Sequence, residues 1–161
     1  MKEIIDRLIK EELDIKNIDF SNEEESLDYS KIEFYKCRFE KCKIEGILEK
    51  SYFTDCEFIN SDFSNVNFNE SDFVRCKIIS SKFIGCSFIE SKFYKSQIEE
   101  SNFEFSNFSG STLKELNFKN TLLNSSYFDN STFQKLEFEK CELLKSQFYR
   151  CNLKRNWFFK F

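Results

Sequence analysis

Residues 51–90 read SYFTDCEFINSDFSNVNFNESDFVRCKIISSKFIGCSFIE, and here a large apolar residue returns at every fifth position: Phe53, Phe58, Phe63, Phe68, Phe73, Ile78, Phe83 and Phe88. Followed outward, the series runs without a gap from Leu48 to Phe158, and each of its 23 members is Phe, Leu or Ile. Against an apolar background of 40%, chance would give such a series with a probability on the order of 10⁻⁹, counted as matches to a template. The chain is a repeat protein.

A period of five matches neither the 3.6 of a helix nor the 2.0 of a strand, so the chain must turn within each unit. Two positions before each large apolar residue usually stands a small one, as at Ser51, Cys56, Ser61, Ser71, Cys76 and Ser81. If the chain makes a corner after every unit, the small residue and the large apolar one point inward and the other three face water. Four such sides close a coil of twenty residues, and successive coils stack at about 4.8 Å, the strand spacing. Inward serines then need partners, either the backbone or the next serine along the column.

On these residues the chain resembles the pentapeptide-repeat family. The resemblance covers residues 32–158 and implies an all-β solenoid, a right-handed quadrilateral β-helix of about six to seven coils. The unit departs from the family's usual Ala-Asp/Asn-Leu-X-X: its centre is mostly Phe, and the small position never holds Ala because the chain has none. Upstream, Phe34, Phe39 and Ile44 keep the spacing of five, but the step from Ile44 to Leu48 is four. Gly46 lies in that short step and can adopt the positive φ an irregular corner requires.

The expected organisation is one domain over residues 1–161: a short N-terminal helical cap (1–20), the repeats (32–158) and an aromatic C-terminal cap (154–161). In MKEIIDRLIKEEL, residues 1–13, Ile4, Ile5, Leu8, Ile9 and Leu13 fall at helical spacing between charges. A bare solenoid end exposes core and strand edges, so this helix is expected to cover the first coil. Acidic residues interrupt it, which argues against a targeting segment. SNEEESLD, residues 21–28, reads as an acidic connection. At the other end KRNWFFKF, residues 154–161, holds four aromatics, of which the spacing assigns only Phe158 inward. Trp157, Phe159 and Phe161 then either fold over the last coil or meet a second chain, and the expectation is a tail-to-tail homodimer.

All seven cysteines (37, 42, 56, 76, 86, 141 and 151) fall at the small inward position. That suits buried free thiols, with neither a Cys-x-x-Cys pair nor a histidine to complete a metal site. Reduced thiols point to the cytoplasm, and no run of the sequence is long and apolar enough for a membrane-spanning helix. With no histidine, no Gly-rich phosphate loop and no nucleophile elbow, the sequence reads as non-enzymatic and without a cofactor.

Function is therefore sought on the outside of the rod. The outward residues of the units on Phe53, Phe73, Phe93, Leu113, Phe133 and Leu153 form a basic wall, net +4: Arg75, Lys92, Lys95, Lys114, Lys135, Lys154 and Arg155 against Asp55, Asp72 and Glu115. The wall on Leu48, Phe68, Phe88, Phe108, Phe128 and Phe148 is acidic, net −2, with Glu49, Glu70, Glu90 and Asp129 against Lys50 and Arg150. The family's quinolone-resistance (Qnr/MfpA-like) group binds type II topoisomerases, its acidic rod being read as a DNA mimic. The resemblance thus implies DNA gyrase as a partner, met by the acidic wall and protected from quinolones. Against this stand the basic wall and the lack of any loop inserted within the units. The alternative is a generic scaffold that binds another protein or only itself. Direct nucleic-acid binding is disfavoured, since Tyr94 is the basic wall's only aromatic flanked by cations.

Overall fold

In the computed structural model, which describes residues 1–154 and the backbone of 158–160, one device turns the chain at every unit. The residue two past each inward apolar side chain adopts a left-handed conformation. Twenty-four non-glycine residues do so, with φ between 48° and 64°, and Gly46, Gly85 and Gly110 join them, while Glu12 takes a positive φ after the helix. An L-residue held there is strained by about 1–2 kcal/mol. The strain is offset because each corner N–H reaches the next coil: Asp55 donates to the Val74 carbonyl (2.9 Å), Arg75 to Tyr94 (2.9 Å) and Lys95 to Lys114 (3.1 Å). Between corners the backbone is extended and pairs in parallel with the residue twenty positions on, as in Phe53↔Phe73, Phe73↔Phe93 and Ile78↔Ile98.

That pairing dictates the core. Each inward ring lies over its counterpart in the next coil, in four columns. The Phe53 column stacks at 4.9 Å to Phe73 and 4.6 Å from Phe73 to Phe93. The Phe68 column continues through Phe88, Phe108, Phe128 and Phe148 at 5.3, 4.9, 4.9 and 4.9 Å, with rings within 9° of parallel. Neighbouring columns meet edge to face, as in Phe58–Phe63 at 5.3 Å and 78°. The strand spacing of about 4.8 Å thus falls inside the range in which offset-stacked aromatics attract.

The inward serines find the backbone, as their burial requires. Ser71 Oγ donates to the Leu48 carbonyl (2.9 Å) and accepts the Ser51 N–H (3.0 Å). The other expected partner also occurs, with Ser111 and Ser131 hydroxyls 3.3 Å apart. Cysteine fills the same role: Cys76 Sγ lies 3.2 Å from the Phe53 carbonyl and Cys86 Sγ 2.9 Å from that of Phe63. Leu116 and Leu136 occupy this position in two late coils and are buried. Here two adjacent walls join as single strands, Thr112–Lys119 and Thr132–Glu139.

The ends depart from the sequence reading. The helix runs only from Lys2 to Lys10, and the coils begin at Ile15, well before residue 32. Ile15 pairs with Phe34 and Phe20 with Phe39, nineteen residues apart. The stretch read as an acidic connection is instead a strand, Glu24–Asp28, paired with Lys43–Ile47. The spacing of nineteen, together with glutamates where apolar residues stand elsewhere, hid this first coil. Met1 and Ile5 are buried in the same apolar cluster as Ile15 and Leu27. The Met1 ammonium lies 3.0 Å from Glu23 and 3.5 Å from Glu25. Gly46 is the irregular corner, with φ +109°; a Cβ there would stand 2.0 Å from the Leu27 carbonyl oxygen.

At the C-terminal end the register moves the other way. Phe138 pairs with Phe159, twenty-one residues on, whereas Phe133 still pairs with Leu153. The backbone partner of Phe138 is therefore Phe159 and not Phe158, a step one residue longer than the twenty of the middle coils.

Stability should reside in the inward columns. Phe88 is fully buried with stacked neighbours on both sides, so Phe88→Ala should cost about 3–5 kcal/mol. Lys92→Ala on an exposed wall position should stay within about 0.5 kcal/mol. Urea unfolding checks both, and equal losses would overturn the register.

Candidate interaction surface

Each unit directs three residues outward, so wall position follows from register alone. The acidic wall is held in line by bridges from Ile47 to Asn67, Ser87, Asn107, Tyr127 and Gln147, one coil per step. Glu49, Glu70, Glu90 and Asp129 all stand on it. Glu70 and Glu90 occupy successive left-handed corners and are exposed, and Glu70 lies 3.6 Å from Lys50. Glu49 and Asp129 sit on the flat of the wall, half-buried, and Asp129 Oδ1 accepts the Tyr149 N–H (2.8 Å). Asn69 staples the same surface, its Oδ1 accepting the Ser87 hydroxyl (2.6 Å) and the Ile89 N–H (3.0 Å).

The three carboxylates of the basic wall are each paired with one of its cations. Arg75 grips Asp55 with two hydrogen bonds, 2.7 and 3.0 Å, and these hold the Asp55 carboxyl below the usual range. Lys92 stands 3.9 Å from Asp72 and Lys135 3.7 Å from Glu115. At Asp72 burial outweighs the lysine and raises the pKa. Lys95 and Lys114 lie over the ring of Tyr94, at 5.0 and 5.1 Å. Exposed pairs of this kind contribute little stability, and the wall keeps its net positive charge, carried by Lys95, Lys114 and Lys154 among the described residues. Arg155 lies outside the described residues.

The reading by charge passed over an apolar residue. Among the left-handed corners of the described residues every position is polar or glycine except Phe105, which has φ +60° and is 61% exposed. A census of the residue two past each inward side chain would have singled it out. Beside it, Glu104 accepts hydrogen bonds from Asn124 (3.0 Å) and Asn102 (3.1 Å). Asn124 also donates to Glu142 (3.1 Å) and accepts the Leu144 N–H (2.8 Å).

The last coil leaves an apolar recess of about 310 Å³ lined by Phe133, Leu136, Phe138, Phe148, Arg150, Cys151 and Leu153. Trp157 and Phe161, and the side chain of Phe159, expected at a dimer contact, lie outside the described residues.

Among the described residues no three His, Cys, Asp or Glu side chains are placed to hold a metal ion, and no helix is long and apolar enough to cross a membrane. The thiols are free. For Cys37 a hydrogen bond with Cys56, then burial, favours the protonated form; for Cys86 burial does so foremost, with the charge of Asp62 adding to it. Cys141 and Cys151 in the last coils are only half-buried. A thiol reagent should therefore label these two first and the other five slowly in the native state, with seven sites open in denaturant. Because the raised pKa values keep thiolate scarce, the native rates should still climb with pH above the ordinary thiol value of about 8.5. Rapid native labelling of Cys56 or Cys76 would contradict the burial.

A family model described as pentapeptide repeat region matches residues 47–128. No curated protein matches the chain. Among solved structures, full-length QnrB1, a plasmid-mediated fluoroquinolone resistance protein, is 14% identical with a TM-score of 0.54, over 87% of this chain and 93% of that one. A trypsin-treated QnrB1 variant gives 0.58 at 13% identity, over 87% and 91%. HetL, a pentapeptide repeat protein involved in heterocyst differentiation regulation in the cyanobacterium Nostoc, covers 94% of each chain at 9% identity and a TM-score of 0.35. At these identities the likeness to QnrB1 is one of fold.

Proposed function

The chain belongs to the pentapeptide-repeat family, and from that premise we propose that it is a non-enzymatic interaction rod whose acidic wall binds a type II topoisomerase, DNA gyrase, in place of DNA and so protects it from quinolones. The observation that carries this reading is the alignment of Glu49, Glu70, Glu90 and Asp129 along one wall, with Glu70 and Glu90 at consecutive exposed corners. The likeness of fold to QnrB1 supports it. From Glu49 to Asp129 is four coils, about 19 Å, so the carboxylates are sparser than the phosphates of one DNA strand, which repeat every 3.4 Å or so. The contact should accordingly be moderate in strength and sensitive to salt.

Exposed Ile47, Tyr127 and Tyr149 interrupt the acidic row and favour a second reading, a scaffold that binds another protein through a mixed surface. In either case we infer a cytoplasmic protein, in keeping with its free thiols, and a homodimer joined through the C-terminal end, in keeping with the apolar recess there. Removal of residues 156–161 should then yield monomer or aggregate in sedimentation, where the intact chain runs as a dimer; an intact chain that sediments as a monomer at micromolar concentration would refute the joint.

The deciding experiment is gyrase supercoiling with and without ciprofloxacin. The unmodified chain should restore activity in the drug's presence, and Glu70→Lys with Glu90→Lys should abolish that protection while leaving the unfolding midpoint within error. Absence of protection by the unmodified chain would leave the scaffold reading.

A further inference from the structure

We propose that Phe105 is the apolar anchor of a docking surface for a basic protein partner, set on the edge where the acidic wall meets its neighbour. Two costs attend this residue, and although its N–H reaches the Asn124 carbonyl (3.0 Å) as at other corners, a smaller polar residue would make the same bond with less strain. A bulky aromatic in the left-handed region is an outlier where Asn or Gly would be at ease, and its ring is left 61% exposed. The same corner in the adjoining coils holds Gly85 and Ser125, neither large enough to cover the ring. Every other described corner is hydrophilic or glycine, so the repeat itself makes no demand for an aromatic here. Strained and exposed aromatic residues are the kind that serve binding.

The surroundings indicate the partner's chemistry. Within one coil above and below Phe105, on the two walls that share its edge, stand Glu90, Glu104 and Asp129 against the single cation Lys82. No ion pair among the described residues engages Glu90, Glu104 or Asp129; Glu104 is oriented by Asn102 and Asn124 and Asp129 by the Tyr149 N–H. Exposed Tyr127 lies on the acidic wall beyond the edge. An exposed apolar residue with unneutralised carboxylates on both walls of its edge, two of them oriented by hydrogen bonds, suits a partner that offers apolar surface rimmed by Lys or Arg. The proposal rests on the acidic wall being the contact face and adds the residue that should dominate its affinity.

The corner strain makes the test two-sided. Phe105→Asn should raise the urea midpoint, because Asn tolerates the left-handed conformation, yet weaken binding by about tenfold or more. Phe105→Tyr, which keeps ring and strain, should retain binding. Two probes are used: purified gyrase holoenzyme, and a synthetic amphipathic helix of Lys and Leu alone. Binding of either probe that is lost in Phe105→Asn and kept in Phe105→Tyr supports the anchor. If only the peptide binds in this way, the topoisomerase reading fails and the anchor stands. If Phe105→Asn lowers the urea midpoint, the ring supports the fold and the proposal is overturned. It is equally overturned if the Asn variant binds as the unmodified chain does, or if the unmodified chain binds neither probe.

Discussion

The parallel hydrogen-bond ladder between coils is the constraint to which everything else conforms. It sets a step of about 4.8 Å, and every inward group must be able to meet its own copy at that distance. Flat rings can, which is why Phe dominates and why Phe73 and Phe93 lie 5° from parallel. A hydroxyl or thiol can, because it finds a carbonyl of the coil before it, as Ser91 finds Phe68 at 2.8 Å and Cys76 finds Phe53. Branched Ile78 and Ile98 also repeat in register. The absence of alanine follows no necessity of this geometry; Ser and Cys simply add a bond that a methyl group would forgo.

The ladder is bounded by corners, and the corners separate fold from function. Once the corner N–H is committed to the next coil, a left-handed backbone accepts Lys, Glu, Ser and Arg as well as the better-suited Asn, so charge at the corners is set largely apart from the core. Charge can then be dealt to one wall and removed from another without disturbing the columns inside. On the basic wall the outcome is local cancellation, through Arg75 with Asp55 and Lys135 with Glu115. On the acidic wall Glu90 and Asp129 are left without cations among the described residues.

Much of the fold was legible because a strict period leaves few ways to be satisfied. Phe53 to Phe138 could be placed inward by counting, the cysteines followed from the same count, and Gly46 was identified by the one short step, while Phe148 and Leu153 keep the register but are exposed in the last coil. Legibility ended where the count changed. Ile15 and Phe20 are inward residues of a coil with a nineteen-residue step, and Glu24–Asp28 brings charge to a strand, so neither matched the template. Phe158 fitted the spacing, yet the backbone pairs Phe159 with Phe138, because a strand can gain a residue without any trace in composition. The wall positions of Glu49, Glu70, Glu90 and Asp129 needed only register. Phe105 escaped because attention to charge gives no weight to an apolar residue in a place where the backbone, not the side chain, is unusual.

The twenty-residue interval between identical environments bears on how such a molecule can grow. In the middle of the rod each coil presents the next with the same edge it receives from the one before, so a coil duplicated in full would meet compatible neighbours on both sides and lengthen the rod by one rung. A duplication whose length is not a multiple of five would turn aromatic columns against hydroxyl columns, and one of five, ten or fifteen residues would move every later unit to a different wall. Inheritance by whole turns therefore lets this architecture explore length almost freely while composition drifts on its outer faces, and the irregular nineteen- and twenty-one-residue turns at the two ends mark where such copying would stop.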